Sequence, residues 1–119
     1  MKTLEIILKG GLRSCCSTYS AGDMKDLTKS WFEDMADLKF DIIDIEDDFY
    51  ETGPLADLAY KHFGSSAFPL VYFNKQLISI GSFPEQSECL QIIENPRSLT
   101  REEIEEEARI VNEQQNKYQ

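Results

Sequence analysis

The stretch Phe68-Pro69-Leu70-Val71-Tyr72-Phe73-Asn74-Lys75-Gln76-Leu77-Ile78-Ser79-Ile80-Gly81 holds two apolar runs separated by Asn74-Lys75. A link that short cannot carry a crossover, so the two runs must lie side by side in opposite directions as a hairpin. Asn accepts the positive φ that a two-residue turn demands, whereas Lys is a weaker choice for its second position. Pro69 opens the first run, one of the few places where a sheet accepts a residue without an N–H, and one where an X–Pro bond can be cis.

The chain before this hairpin alternates between two periods. Leu4 to Leu8 is a short apolar run that ends at Gly10-Gly11, which suits a buried strand. Met24, Leu27, Trp31, Met35 and Leu38 then recur at three- and four-residue steps, and that spacing predicts a helix between Asp23 and Leu38 capped by Ser20 or Asp23. Phe40 to Ile45 reads as a strand running into Glu46-Asp47-Asp48. A second helix is expected after Gly53-Pro54, with Leu55, Leu58, Ala59, His62 and Phe63 on one face and Gly64 as its stop. A third starts near Pro84, carries Cys89, Leu90, Ile92 and Ile93, and ends at Asn95-Pro96. Two strands joined by a helix must run parallel. The order therefore predicts an α/β thioredoxin-like fold: a central four-stranded mixed sheet flanked by helices, over residues 1–97.

Residues 98–119 read as an acidic C-terminal helical extension. Thr100-Arg101-Glu102-Glu103 has the form of a capping box. Ile104, Ala108, Val111 and Tyr118 make a narrow apolar stripe, which suits packing on its own domain or on a second copy in a homodimer.

At 119 residues and 41% apolar content, one domain can bury roughly two thirds of its unfolded surface without a metal or disulfide. The net charge of −10 opposes direct nucleic-acid binding, because phosphate backbones repel such a surface. The opening apolar run is interrupted by Glu5 and is too short for a signal peptide or membrane span, so a cytoplasmic chain without membrane insertion is expected. Three cysteines, two of them adjacent, make no disulfide framework.

Cys15 and Cys16 sit in Arg13-Ser14-Cys15-Cys16-Ser17-Thr18, between the first strand and first helix. Consecutive cysteines form a strained disulfide ring and suit a thiophilic ion better. Thiolate is the reactive and ligating form, and an ordinary cysteine with a pKa of about 8.5 is mostly protonated at neutral pH. Arg13, the dipole of the following helix and the hydroxyls of Ser14, Ser17 and Thr18 are the groups able to favour the thiolate. Cys89, among Leu90, Ile92 and Ile93, reads as a small core residue.

These features resemble the arsenic metallochaperones of arsenical-resistance operons, the ArsD family. The resemblance spans roughly residues 1–94 and rests on Met1-Lys2-Thr3-Leu4, Cys15-Cys16-Ser17-Thr18, Pro69-Leu70 and Gly81-Ser82-Phe83-Pro84. It implies a thioredoxin-like protein that holds As(III) or Sb(III) on Cys15 and Cys16 and passes it to an efflux-pump ATPase; some family members are also weak repressors of their operon. The third cysteine of the family's site falls at Ala21 here, so a small thiol such as glutathione, or a second chain, would have to supply the third sulfur.

Two further readings use the same residues. Cys15-Cys16-Ser17-Thr18 parses as C-x-x-T, similar to monothiol glutaredoxins, which makes Cys15, Cys16 and Pro69 the candidate site of a thiol-disulfide oxidoreductase. Alternatively the chain is an interaction module with a vestigial thiol site. His62 is expected to pack on its helix's apolar face. Trp31, Phe32, Phe63, Tyr72 and Phe73 read as core. Asp44, Glu46, Asp47 and Asp48 read as a solvated loop that lacks the pattern of a calcium site.

Overall fold

The computed structural model describes residues 2–13 and 17–116, the last three of these by backbone alone. Their order is β1 (Lys2–Leu8), β2 (Leu12–Arg13), β3 (Thr18–Tyr19), α1 (Ala21–Thr28), β4 (Leu38–Asp44), α2 (Pro54–Phe63), a 3₁₀ turn at Gly64–Ala67, β5 (Leu70–Phe73), β6 (Gln76–Ile80), α3 (Gln86–Glu94) and α4 (Arg101–Asn116). The main sheet has the order β4-β1-β5-β6. β1 runs parallel to β4, with Ile6 opposite Ile42, and antiparallel to β5, with Ile6 opposite Val71. The β5–β6 hairpin completes it. The expected mixed α/β architecture with a four-stranded sheet is present.

Alternation along the strands sends side chains to two separate cores. Leu4, Ile6, Leu8, Ile42, Val71 and Phe73 face α1 and α3, where they meet Met24, Cys89 and Ile93. Ile7, Leu70, Tyr72 and Leu77 face α2 and α4, where Ala56, Ala59 and Ile104 close the layer. Because β1 is covered on both faces, its sequence is a near-continuous apolar run rather than a clean alternation. Each fully buried aliphatic side chain contributes about 1.5–3 kcal/mol relative to an exposed one.

The hairpin turns at Asn74 and Lys75, with φ of 49° and 68°, the paired positive values of a type I′ turn. Asn74 also ties the turn to β1: its N–H donates to Thr3 O at 2.8 Å, and its Oδ1 accepts from Thr3 N–H at 2.9 Å. Lys75, an unfavourable turn residue by type, finds Glu5 Oε1 at 2.9 Å and lies over the Tyr50 ring. Tyr50 Oη donates to the same Glu5 oxygen at 3.1 Å. These contacts let a carboxylate sit nearly buried in the middle strand.

Three expectations from spacing are corrected. The first helix stops at Thr28 instead of reaching Leu38. Beyond it Trp31 N–H donates to Thr28 O, Met35 N–H to Phe32 O and Leu38 N–H to Met35 O. These are three-residue turns, which bring Trp31, Phe32, Met35 and Leu38 to the core with nearly helical spacing. Leu27, placed on the apolar face by period, is 62% exposed. His62 is exposed rather than packed on its helix's apolar face, because α2 buries its small residues Ala56 and Ala59 against the sheet.

The C-terminal helix packs on its own chain. Thr100 caps its start, with Glu103 N–H donating to Thr100 Oγ1 at 3.2 Å, but the Glu103 carboxylate accepts from the Thr100 hydroxyl at 3.1 Å and not from its backbone N–H, so only half of the expected capping box forms. Leu99 N–H donates to Leu77 O at 2.8 Å, which anchors the approach to the edge strand. Ile104 is then buried against the α2 side of the sheet, and Ala108, one turn further on, is buried as well. Tyr118, the end of the expected stripe, lies outside the described residues. Among the described residues no helix is long and apolar enough to cross a membrane.

Candidate functional site

The chain leaves β1 through Lys9-Gly10-Gly11. Both glycines have positive φ, 69° and 80°, and Gly11 is required for a second reason: a Cβ there would lie 2.7 Å from Tyr19 O. Close approach of the two backbones is what allows β2 and β3 to pair, with Leu12 opposite Tyr19 and Arg13 opposite Thr18. Residues 14–17 join these two strands. Ser14, Cys15 and Cys16 lie outside the described residues, and the site is defined by what flanks them.

Asp44, at the end of β4, fixes this entry. Its Oδ1 accepts from Gly10 N–H at 3.1 Å and Glu46 N–H at 2.9 Å, and its Oδ2 accepts from Gly11 N–H at 2.6 Å. Burial pushes the Asp44 carboxyl up, but the three amides and Lys9 outweigh it and hold it below its ordinary value. Asp44 is therefore a buried structural acceptor and not part of a solvated loop. Glu46, Asp47 and Asp48 are exposed as expected. Gly11 and Asp44 fix the turn that precedes β2, a role that the solvated-loop reading of Asp44 missed and that only its place at the end of an apolar run hints at.

The opposite wall comes from the chain before β5. The Phe68–Pro69 bond is cis and Pro69 is buried. Gly81, just past β6, donates its N–H to both Ala67 O at 2.9 Å and Pro69 O at 3.0 Å, which pins this corner. Between the two walls is a groove of about 830 Å³, lined by Lys9 to Arg13, by Ser65, Ser66, Phe68 and Pro69, and by Gly81 to Phe83. The structure thus brings Pro69 and Arg13, the residue just before Ser14, to one concave surface.

Its electrostatics are mixed. Lys9 Nζ is 3.9 Å from Glu46, and Arg13 is exposed. At the start of α1, Asp23 N–H donates to Ser20 Oγ at 3.0 Å and Ser20 N–H donates to Asp23 Oδ2 at 2.9 Å. The Asp23 carboxylate already faces the positive end of that helix. Arg13 is then the cation that the sequence sets beside the thiols.

The other soft-ligand positions lie elsewhere. Cys89 is fully buried in the first core, and burial, with Glu88, pushes its thiol up to about 11. It stays protonated at neutral pH. Ala21 is the first residue of α1, and its methyl packs partly buried against the same core. Among the described residues no three His, Cys, Asp or Glu side chains come together in a metal-binding arrangement.

No protein-family model matches this chain, and no curated protein does. A solved structure is similar: the crystal structure of a protein of unknown function from Staphylococcus aureus, at 15% identity and a TM-score of 0.51, over 78% of this chain and 88% of that one. At that identity the likeness speaks for the fold alone, a mixed sheet flanked by helices.

Proposed function

We propose that this chain is a cytoplasmic thioredoxin-like carrier that holds a soft ion, As(III) or Sb(III) in the first instance, on Cys15 and Cys16 and delivers it to a partner protein. The observation that carries this reading is the shared groove: β2, the strand that leads into the cysteine pair, lies on one wall and the cis-proline corner on the other. The sheet order β4-β1-β5-β6, with the proline opening β5, supports the thioredoxin-like assignment. The ArsD resemblance makes an efflux-pump ATPase the recipient.

Trivalent arsenic takes three sulfurs, and this segment supplies two. With Ala21 a methyl and Cys89 sequestered, the third comes from outside the chain, either an exogenous thiol such as glutathione or a second copy in a homodimer. The groove is open to a small thiol. Its volume also favours a second reading, in which Cys15-Cys16-Ser17-Thr18 exchanges disulfides with a bound peptide or glutathione, since about 830 Å³ falls in the range of small-molecule sites.

Single substitutions separate the two. For a carrier, Cys15→Ser and Cys16→Ser each remove one of two equivalent ligands, so each should weaken arsenite binding on the order of 100-fold. For an oxidoreductase, one substitution abolishes turnover of a glutathione mixed disulfide while the other leaves most of it. Equal losses of arsenite binding without turnover support the carrier; a sharp asymmetry in turnover replaces it with the enzyme. If neither substitution changes either readout, the thiol site is vestigial.

A further inference from the structure

The chain from Asp41 to Asp57 contains seven carboxylates and no lysine, arginine or histidine. Three of the seven are engaged: Asp44 by backbone amides, Asp41 by Lys25 at 3.3 Å and Glu46 by Lys9 at 3.9 Å. Asp47, Asp48, Glu51 and Asp57 are exposed and have no ion-pair partner among the described residues. In their midst Phe49 is 90% exposed. An aromatic ring left in water inside an acidic loop adds nothing to the core, and it has the composition of an interface anchor.

Next to this loop is a groove of about 440 Å³ whose apolar walls are Ile45, Ala56, Tyr60, Phe68 and Leu70. Tyr60, 46% exposed, stands edge-on to Phe68 with ring centroids 6.2 Å apart. Lys9 and Phe68 line both this groove and the cis-proline groove, so the two are neighbours on the surface.

We infer that this face docks a cationic segment of a partner protein, with an apolar side chain in the Tyr60–Phe68 groove and lysines or arginines against Asp47, Asp48, Glu51 and Asp57. Charge complementarity selects that occupant. A second copy presenting the same face would set like charges against each other, and a nucleic acid or anionic membrane would be repelled. Arginine adds attraction to the face of Phe49, whereas the Tyr60 ring already carries Lys9, whose Nζ is 5.8 Å from its centroid, and therefore contributes apolar contact. The surface goes beyond the proposed cargo site and does not require the thiols. Failure of arsenite binding would leave it standing, and its own failure would leave the cargo reading standing.

The test uses the isotopically labelled full chain and a synthetic twelve-residue amphipathic peptide of lysine and leucine, with a peptide of glutamate and leucine in the same order as control. NMR amide shifts from the cationic peptide should map to residues 45–60 and 68–70. Its dissociation constant should rise about tenfold in Phe49→Ala, in Tyr60→Ala and in the triple variant Asp47→Asn/Asp48→Asn/Glu51→Gln. Phe49→Ala and the triple variant change exposed side chains and leave the fold intact. Equal binding of the acidic peptide, shifts spread over the whole surface, or unchanged affinity in those variants would overturn the proposal.

Discussion

Asp44→Ala is expected to lower the unfolding free energy by about 3 kcal/mol, because it strips a charged acceptor from three backbone amides at once. A hydrogen bond to a charged group contributes about 1.5–3 kcal/mol, and three on one carboxylate are not additive. The loss falls on the Gly10-Gly11 turn, so the β2–β3 ladder beside Cys15 and Cys16 should loosen before the main sheet does. The pH dependence follows from the depressed Asp44 carboxyl. In the unfolded chain Asp binds its proton near pH 4; in the folded chain it does so at lower pH. Its stabilising contribution is therefore fully present above the ordinary aspartate range and is lost as pH falls through the lower folded value. Asp44→Asn, which keeps the shape without the charge, should flatten the acid limb of stability measured by denaturant unfolding between pH 7 and pH 2. Identical limbs in wild type and Asp44→Asn would show that Asp44 does not hold the turn.

Ile104→Ala is expected to cost about 2–4 kcal/mol. Ile104 is 1% exposed and shares a core with Ile7, Ala56, Ala59 and Leu70, so truncation removes buried methyl groups and leaves a cavity between α4 and the sheet. For a chain of this length the thermal midpoint should fall by about 3–5 °C per kcal/mol. A solvated tail would respond by less than about 0.5 kcal/mol. Thermal melts of the full chain distinguish the two outcomes, and a negligible shift would detach α4 from the domain core.

The parts of the fold that could be read from sequence were those where one physical rule acts alone. Asn74-Lys75 between two apolar runs leaves only a hairpin, and an apolar run, a helix and a second apolar run leave only a parallel pair. Pro69 at a strand start was legible because a sheet admits proline almost nowhere else. The errors arose where two structures share one spacing. Successive three-residue turns after Thr28 reproduce the apolar rhythm of a helix, so spacing alone extends the helix over Trp31 to Leu38. Leu27 and His62 were misplaced because periodicity shows which residues share a face, not which face meets the sheet; Ala56 and Ala59 decide that for α2.

Of the candidate site, the cysteine pair and Pro69 stand out in the sequence, and the roles of Gly11 and Asp44 do not. Adjacent cysteines raise the expectation of soft-ligand chemistry from residue type alone. Gly11 looked like ordinary turn punctuation, and only the 2.7 Å approach of its absent Cβ to Tyr19 O shows why glycine is needed. Asp44 belonged by composition to an acidic loop, whereas burial and three converging amides separate it from Glu46, Asp47 and Asp48. The apolar groove at Tyr60 and Phe68 joins residues from α2 and the approach to β5, a juxtaposition that only the crossover creates.

We propose that Cys15 and Cys16 together hold a soft ion. The most direct measurement is native mass spectrometry of the fully reduced chain titrated with arsenite in the presence of glutathione, beside the Cys15→Ser/Cys16→Ser double variant. The wild type should carry a single arsenic per chain, with or without an attached thiol, and the double variant none. Wild-type protein that takes up no arsenic, or a double variant that takes up as much, would contradict it.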